Sequence, residues 1–393
     1  MKILADENIP LVEAFFSDYG ELLMVPGRAI KKEMVQDVDM LLVRSVTPVN
    51  SALLRGSKVA FVGSATIGMD HVDEAYLTEN NISYTSAPGC NANSVAEYVL
   101  CSLLRLMKSK RVDLRGLKAA IVGYGNVGKA VFKKLEAVGV RCVAVDPLLK
   151  NQGERDHNNN HFVGLDDVLS GGELSCDVVC LHTPLIYDEP YPTFHLLGDE
   201  ELRRLKPGVI LLNAGRGATI DNRALDAYLS EGCDMQVVLD VWENEPNINR
   251  SLLDKVDLGT PHIAGYSMDG KWRGTQMLYD AFCHWQGREI KKRVGQFVSV
   301  NRESMSCKRG PLDDSSLRAL CESFYDVSVD DDNLRANLGL DEVKGYQSVS
   351  SFDDLRKHYP VRREFNSKDL SAPGMSKKDR AVLQELGFDL ASF

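Results

Sequence analysis

Short runs of apolar residues alternate with stretches of helical spacing along most of the chain. In the first 90 residues the apolar runs are KILAD, ELLMV, MLLVRS, VAFVGSAT and ISYTSAP. From position 117 the rhythm resumes with LKAAIVG, VRCVAVD, CDVVCLHTP, GVILLN, MQVVLD and DLGTPHIAG. Such alternation is typical of parallel sheets whose strands are joined by crossover helices. It predicts two α/β units, each with a doubly wound parallel sheet.

The helical segments carry their own start and stop signals. NANSVAEYVLCSLLRLMKSKR begins with Asn91 or Asn93 as an N-cap, and NRALDAYLSEG begins with Asp221 or Asn222 and stops at Gly232. One face of the first segment is apolar at helical spacing, through Val95, Val99, Leu103 and Leu106. We predict that this long helix bridges the two units.

The last hundred residues lack the alternation of apolar runs and helical segments seen in the rest of the chain. They contain short helix-like segments, DDSSLRALCESFYDV and SKKDRAVLQELG, separated by polar linkers. The second has Ser376 as its cap and Gly387 as its stop. This length is enough for one small domain. We predict a substrate-binding domain over 1–92, completed by 265–288, a dinucleotide-binding domain over 93–264, and a small C-terminal α+β domain over 289–393.

Composition and charge exclude several classes of protein. The 393 residues are 44% hydrophobic and 26% charged, as in ordinary globular proteins, and the net charge of -10 argues against a nucleic-acid binder. The start, MKILADENIP, lacks the apolar core of a signal peptide, and no run approaches the roughly 20 apolar residues of a membrane span. Nine cysteines without a CxxC pair indicate reduced thiols and no metal site. We expect a cytoplasmic protein.

A glycine-rich turn carries the first functional signal. In IVGYGNVG, Gly123, Gly125 and Gly128 follow a strand and open a helix, and Asp146 ends the next strand. This context is typical of dinucleotide-binding folds, where the turn approaches a pyrophosphate and the acid accepts hydrogen bonds from a ribose. A carboxylate at position 146 would repel a 2′-phosphate, which favours NAD over NADP. The alternative is a turn that serves packing alone.

Three polar residues follow later strands, where an open α/β sheet places its ligand site. Arg216 lies in NAGRG, Glu245 in DVWENEP and His262 in TPHIAG. Each has an ordinary explanation: a surface arginine, an exposed turn acid and a structural histidine. Together they supply an anion clamp, an acid/base and a carboxylate to orient it.

The segments GYGNVG, NAGRG, DVWENEP and TPHIAG resemble the NAD-dependent D-2-hydroxyacid dehydrogenase family. The resemblance implies two Rossmann-like or flavodoxin-like domains with a cleft between them, and hydride transfer between NAD and a hydroxy acid. It implies that Arg216 holds the substrate carboxylate and C2 oxygen, with flanking glycines leaving room for the ligands. His262 would take the hydroxyl proton, and Glu245 would hold its imidazole.

Other segments resemble one branch of this family, whose substrate carries a phosphate. They are LLVRSVTPV, VGSATIGMDHVD, APGCNANSVAEYV, AGYSMDGKWRGT and LRKHYPVRREF. A phosphorylated substrate needs a second anion site, for which Arg44, just past a strand end, is a candidate. The resemblance implies substrate contacts from Ser45, Thr66 and Tyr266, and the alternative for all four is ordinary loop chemistry. Lys271 and Arg273 either face the substrate as well or start a helix in solvent. It also implies that the C-terminal domain forms a homodimer.

On the cofactor side the resemblance adds residues beyond the glycine turn and Asp146. His182, although it ends a strand, is interpreted as structural or cofactor-lining. The complete predicted set is Gly123, Gly125, Asn126, Val127, Gly128, Asp146, Thr183, Ala214, Arg216, Asp240 and Gly265. Two alternatives stay open: a phosphoglycerate-type dehydrogenase, and an NAD-responsive corepressor-like protein without catalysis.

Overall fold

A computed structural model describes residues 1–110, 113–169, 171–298, 303–307, 310–344 and 351–391. The chain divides into two compact units. The first unit comprises Met1–Asn91 and Ser267–Asn301, and the second comprises Ala92–Tyr266 and Arg302–Phe393. Residues 302–393 therefore belong to the same unit as the glycine-rich turn. The division into three domains stays a prediction.

The first unit is built on a five-stranded parallel sheet in the order β2-β1-β3-β4-β5. Its strands are β1 (Lys2–Asp6), β2 (Glu21–Val25), β3 (Met40–Val43), β4 (Phe61–Ser64) and β5 (Ser83–Thr85). Its helices are α1 (Val12–Phe16), α2 (Lys32–Val35), α3 (Ser51–Leu54), α4 (Glu74–Glu79) and the later α12 (Met268–Trp285). Successive strand residues enter different cores, so that α1 and α12 cover one face and α2, α3 and α4 the other.

The second unit contains a six-stranded parallel sheet in the order β11-β10-β9-β8-β6-β7. The strands are β6 (Lys118–Val122), β7 (Arg141–Val145), β8 (Val178–Leu181), β9 (Val209–Asn213), β10 (Met235–Leu239) and β11 (Leu258–Gly259). The helices are α5 (Ala92–Lys110), α6 (Asn126–Ala137), α7 (Pro147–Asn151), α8 (Leu165–Leu169), α9 (Asp199–Arg204), α10 (Asn222–Ser230) and α11 (Arg250–Lys255). The strand order reverses between β6 and β8, which is where doubly wound sheets bind ligands.

Residues beyond position 302 add helices and a small parallel sheet to the second unit. The sheet has the order β12-β13-β14, formed by Ser304–Ser306, Asp369–Ser371 and Asp389–Leu390. The helices are α13 (Asp314–Glu322), α14 (Val327–Lys344), α15 (Ser351–Lys357) and α16 (Lys377–Glu385). Leu320 of α13 and the nearby Phe365 share one core with Leu104 of α5 and Phe132 of α6, whereas Leu334 of α14 and Phe352 of α15 enter the core on the other side.

The predicted strands and fold class are confirmed, because every apolar run named above contains a strand of one of the two large sheets. Asp221 is the N-cap of α10, and Ser376 caps α16 as predicted. The long helix α5 lies in the second unit. The length of α14 was not predicted, since its sequence lacks one apolar face.

No helix among these described residues has both the length and the apolar content needed to cross a membrane.

Candidate active site

The glycine-rich turn leads from β6 into α6, and its glycines have different structural roles. Gly123 has φ of +88°, a conformation that favours glycine. A Cβ on Gly128 would lie 2.0 Å from the Gly123 carbonyl oxygen, so this position packs the helix against the turn. A Cβ on Gly125 would meet no atom within 4 Å. Gly125 and Asn126 are exposed at the start of α6, where amides can bind an anion.

Asp146 stands at the end of β7, beside this turn. Its carboxylate accepts hydrogen bonds from the Tyr124 N–H at 3.0 Å and the Leu149 N–H at 3.2 Å. The second bond caps α7, whose first residue is Pro147. Asp146 is therefore held in place by two backbone amides, and its lone pairs can still accept bonds from a ribose.

The chain after β8 leaves buried polar atoms without partners among the described residues. Both ring nitrogens of His182 and the hydroxyl of Thr183 are buried and form no hydrogen bond there. Burial lowers the pKa of His182 to about 3, so its imidazole is neutral at ordinary pH. Orphaned polar atoms next to an open glycine turn fit a site that a dinucleotide completes.

Arg216 follows β9 in a tight loop held by side chains. Asn213 donates to the Arg216 carbonyl oxygen at 2.9 Å, and the Thr219 hydroxyl donates to it at 2.7 Å. A Cβ on Gly217 would lie 1.9 Å from the main-chain carbonyl carbon of Trp242. The space beside this glycine is therefore filled by backbone, which corrects the expectation that it leaves room for a ligand.

Glu245 and His262 form a close pair across the loops that follow β10 and β11. The Glu245 Oε2 atom lies 2.7 Å from His262 Nδ1, and its Oε1 atom accepts from the Trp242 N–H at 2.8 Å. Burial by itself would raise the pKa of Glu245, but His262, the Trp242 N–H and the Arg356 cation together hold it below its usual value. An ionised Glu245 accepts a hydrogen bond from Nδ1–H, which leaves Nε2 for a substrate.

The His262 side chain is 34% exposed, against 20% for Glu245. The histidine is therefore the more accessible member of the pair, and the acid lies behind it. His262 has φ of +56°, and its N–H donates to the Asp240 carbonyl oxygen at 2.8 Å. The loop thus holds the imidazole in a defined place.

Asp240 fixes the same loop with its side chain. Its carboxylate accepts from the Ile263 N–H at 2.7 Å, the Ala264 N–H at 3.0 Å and the Thr260 hydroxyl at 2.7 Å. These bonds explain why a fully buried acid stands at the end of β10. Its contact with a nicotinamide stays a prediction.

Tyr266 contacts residues that the sequence did not connect with the site. Its ring packs edge-on against Tyr359, with centroids 5.7 Å apart. The Arg356 guanidinium lies 5.6 Å from the centroid of the Tyr266 ring, and its charge also acts on Glu245. Helix α15 carries Arg356, and only the LRKHYPVRREF segment pointed to this part of the chain.

In the first unit the predicted phosphate contacts follow neighbouring strands. Arg44 and Ser45 follow β3, and Thr66 follows β4, with which β3 pairs in parallel. The Thr66 hydroxyl lies 2.7 Å from that of Ser64. Burial and the charge of Arg44 lower the pKa of Lys271 to about 8, which places these two cations near each other.

Arg273 has a structural partner, since its Nε donates to the Cys90 carbonyl oxygen at 2.8 Å. This contact accounts for the half-buried position of Arg273.

Within the second unit, the parallel sheet brings the predicted residues to one edge. The glycine turn, Thr183, Arg216, Glu245 and His262 all come after the carboxyl ends of β6, β8, β9, β10 and β11. The glycine-rich turn and the imidazole–carboxylate pair therefore lie at the same end of one sheet.

Comparisons with known proteins agree with this geometry. Residues 103–264 match the D-isomer specific 2-hydroxyacid dehydrogenase, NAD binding domain family, and residues 300–387 match a domain of unknown function. The chain is 44% identical over 391 residues to an erythronate-4-phosphate dehydrogenase of Cellvibrio japonicus, covering 99% of both. The chain belongs to the erythronate-4-phosphate dehydrogenase family. It is therefore an NAD-dependent dehydrogenase of the D-2-hydroxyacid type.

Solved structures support the fold of this family. The TT0316 protein from Thermus thermophilus is similar with a TM-score of 0.62 and 25% identity, covering 74% of this chain and 98% of that one. A 3-phosphoglycerate dehydrogenase with bound NAD+ from Entamoeba histolytica is similar with a TM-score of 0.61 and 22% identity. The match covers 73% of this chain and 95% of that one. These likenesses span about three quarters of the chain.

Proposed function

We propose that this protein oxidises 4-phospho-D-erythronate at C2 to 3-hydroxy-2-oxo-4-phosphooxybutanoate, in the synthesis of pyridoxal 5′-phosphate. The substrate is taken from the name of the full-length relatives at 43–45% identity. The observation that carries the chemistry is the 2.7 Å contact between Glu245 and His262, at the sheet edge that also holds Arg216.

In the proposed reaction His262 is the base. Its Nε2 takes the C2 hydroxyl proton as the C2–H bond breaks and the C2–O bond becomes a carbonyl. Glu245 accepts a hydrogen bond from His262 Nδ1–H and stabilises the imidazolium that forms. When bound, NAD supplies the acceptor for the hydride that leaves C2.

Arg216 binds the substrate carboxylate and the C2 oxygen. Its planar donors suit a carboxylate, and its charge stabilises negative charge on C2–O as the proton leaves. We assign Tyr266 to a substrate contact. The remaining proposed contacts, for the phosphate, come from the first unit: Arg44, Ser45, Thr66 and Lys271.

The cofactor contacts are proposed from the turn geometry and the family. The open Gly125 position and the helix start at Asn126 suit the pyrophosphate. Asp146 suits the ribose of NAD, because a carboxylate repels a 2′-phosphate. The full proposed set is Gly123, Gly125, Asn126, Val127, Gly128, Asp146, Thr183, Ala214, Arg216, Asp240 and Gly265.

We further propose a cytoplasmic homodimer formed through the C-terminal region. Nine cysteines without a disulfide among the described residues are consistent with a reducing compartment. Sedimentation equilibrium should give twice the chain mass, and a stable monomer at micromolar concentration would contradict the dimer.

A single assay tests the activity. Purified protein with NAD and 4-phosphoerythronate should produce the NADH absorbance band, with the keto product trapped. A greater kcat/KM for 3-phosphoglycerate would favour the phosphoglycerate-type alternative. Tight NAD binding without turnover of either acid would favour the corepressor-like alternative.

A further inference from the structure

The C-terminal region places an arginine beside the catalytic pair. Arg356 lies on α15, and its side chain is 21% exposed. Its guanidinium lies 5.6 Å from the centre of the Tyr266 ring. Burial would raise the pKa of Glu245, and the Arg356 charge is one of the influences that lower it.

The guanidinium of Arg356 is only partly paired. Arg356 Nε is buried without a hydrogen-bond partner among the described residues, and the nearest Asp353 oxygen is 3.8 Å from its Nη1. Burying an incompletely paired guanidinium costs free energy. The cost indicates a charge that is kept for a reason other than packing.

The surrounding contacts hold α15 in place. Phe352 on this helix is fully buried in the core beneath the large sheet. After the helix, the Tyr359 hydroxyl donates to Asp330 at 2.8 Å, and Arg362 donates to the Ala264 carbonyl oxygen at 3.1 Å. Ala264 lies two residues after His262, so the segment after α15 contacts the histidine loop.

We propose that Arg356 is a positioning residue of the dehydrogenase site: it orients Tyr266 and Glu245, and through Glu245 it fixes the His262 imidazole. The region that matches a domain of unknown function thereby contributes to catalysis within its own chain. The proposal rests on the proposed function, because it concerns the same Glu245–His262 pair.

The first test compares Arg356→Gln with Lys357→Gln, which removes an exposed positive charge one residue along the same helix. Arg356→Gln should lower kcat about 10- to 100-fold, because a general base that is poorly oriented loses part of its contribution. The KM for NAD should stay within about 2-fold, and Arg356→Lys should recover part of the lost kcat. Lys357→Gln should match the unmodified protein.

A double-mutant cycle with Glu245→Gln distinguishes positioning from a structural role. If Arg356 acts through Glu245, Arg356→Gln should change kcat by less than about 3-fold when Glu245 is already glutamine. Multiplicative losses in the double variant would overturn the proposal. So would a normal kcat in folded Arg356→Gln, or failure of both Arg356→Gln and Arg356→Lys to fold.

A spectroscopic readout separates this proposal from the substrate assignment. The ¹⁵N shift of His262 Nδ1, assigned by its loss in His262→Asn, reports the hydrogen bond to Glu245. It should move in Arg356→Gln and not in Lys357→Gln, whatever acid the enzyme oxidises. An unmoved signal would overturn the positioning role, whereas a moved signal without 4-phosphoerythronate turnover would overturn only the substrate.

Discussion

At the scale of single residues, similar pairs have different surroundings. Glu245 Oε2 lies 2.7 Å from His262 Nδ1. Glu243, two residues before Glu245, forms a similar pair, with its Oε1 atom 2.8 Å from His195 Nε2. Glu243 also accepts from the Asn222 N–H, which ties its pair to the start of α10. Burial acts to raise the pKa of Glu245, but His262 and a second cation, Arg356, lower it.

Glu245→Gln should reduce kcat about 100-fold or more, because an amide cannot stabilise the imidazolium that forms during proton transfer. Glu243→Gln is the matched control, since it removes the same charge from a neighbouring Glu–His pair. Steady-state kinetics with both variants checks the prediction. Equal losses in the two variants would mean that the effect is general to this loop.

The lowered pKa of Lys271 leads us to expect that substrate binding depends on pH. Burial and Arg44 lower its pKa to about 8, and a lysine is charged only below its pKa. The KM for the phosphorylated acid should therefore rise as pH increases through and beyond about 8, while the KM for NAD stays flat. Lys271→Arg keeps its charge and should abolish the rise. The same profile in both proteins would exclude a phosphate contact from Lys271.

At the scale of elements, the turn between β6 and α6 contains one glycine required for packing and another that is open for binding. A Cβ on Gly128 would lie 2.0 Å from the Gly123 carbonyl oxygen, whereas a Cβ on Gly125, whose φ is -75°, would meet no atom within 4 Å. The backbone therefore leaves no space for a side chain at Gly128 but leaves space for one at Gly125. An added methyl group distinguishes them.

Gly125→Ala should fold normally but weaken NAD binding about 10-fold or more, because its Cβ would occupy the pyrophosphate approach. Gly128→Ala should lose about 1–3 kcal/mol of unfolding free energy, since the methyl overpacks the turn. Thermal melts and NAD titration by fluorescence measure the two effects. A Gly125→Ala variant with unchanged NAD affinity would exclude this turn from the cofactor site.

At the scale of the whole molecule, the C-terminal region is continuous with the nucleotide-binding core. Leu320 and Phe365 pack in the same cluster as Leu104 and Phe132. Arg335 also donates to the Leu253 and Val256 carbonyl oxygens, at 2.6 and 3.0 Å. The region is therefore part of the second unit's fold.

A chain that stops after residue 298 should not fold stably. Each large apolar side chain left exposed loses about 1.5–3 kcal/mol of burial, and several such losses exceed a typical total stability of about 5–15 kcal/mol. The solubility and the thermal melting transition of the truncated protein, compared with those of the full chain, check this prediction. A truncated protein with a cooperative melt and NAD binding would show that the region is dispensable.

The sequence alone determined the strands, the fold class and most of the candidate site. The strand positions follow from alternation of apolar runs, and the NAD turn follows from glycine spacing, both of which arise from local backbone sterics and periodic burial. Parallel strands then place residues after their carboxyl ends at one edge, which made Arg216, Glu245 and His262 predictable together.

Only the tertiary structure decided which distant side chains meet. Arg356 lies more than a hundred residues after Glu245 in the chain, and no local pattern encodes their approach. The same holds for Gly217, whose neighbour is the Trp242 backbone. Such contacts depend on how complete elements pack in one core, and packing is a property of the whole fold and not of any segment.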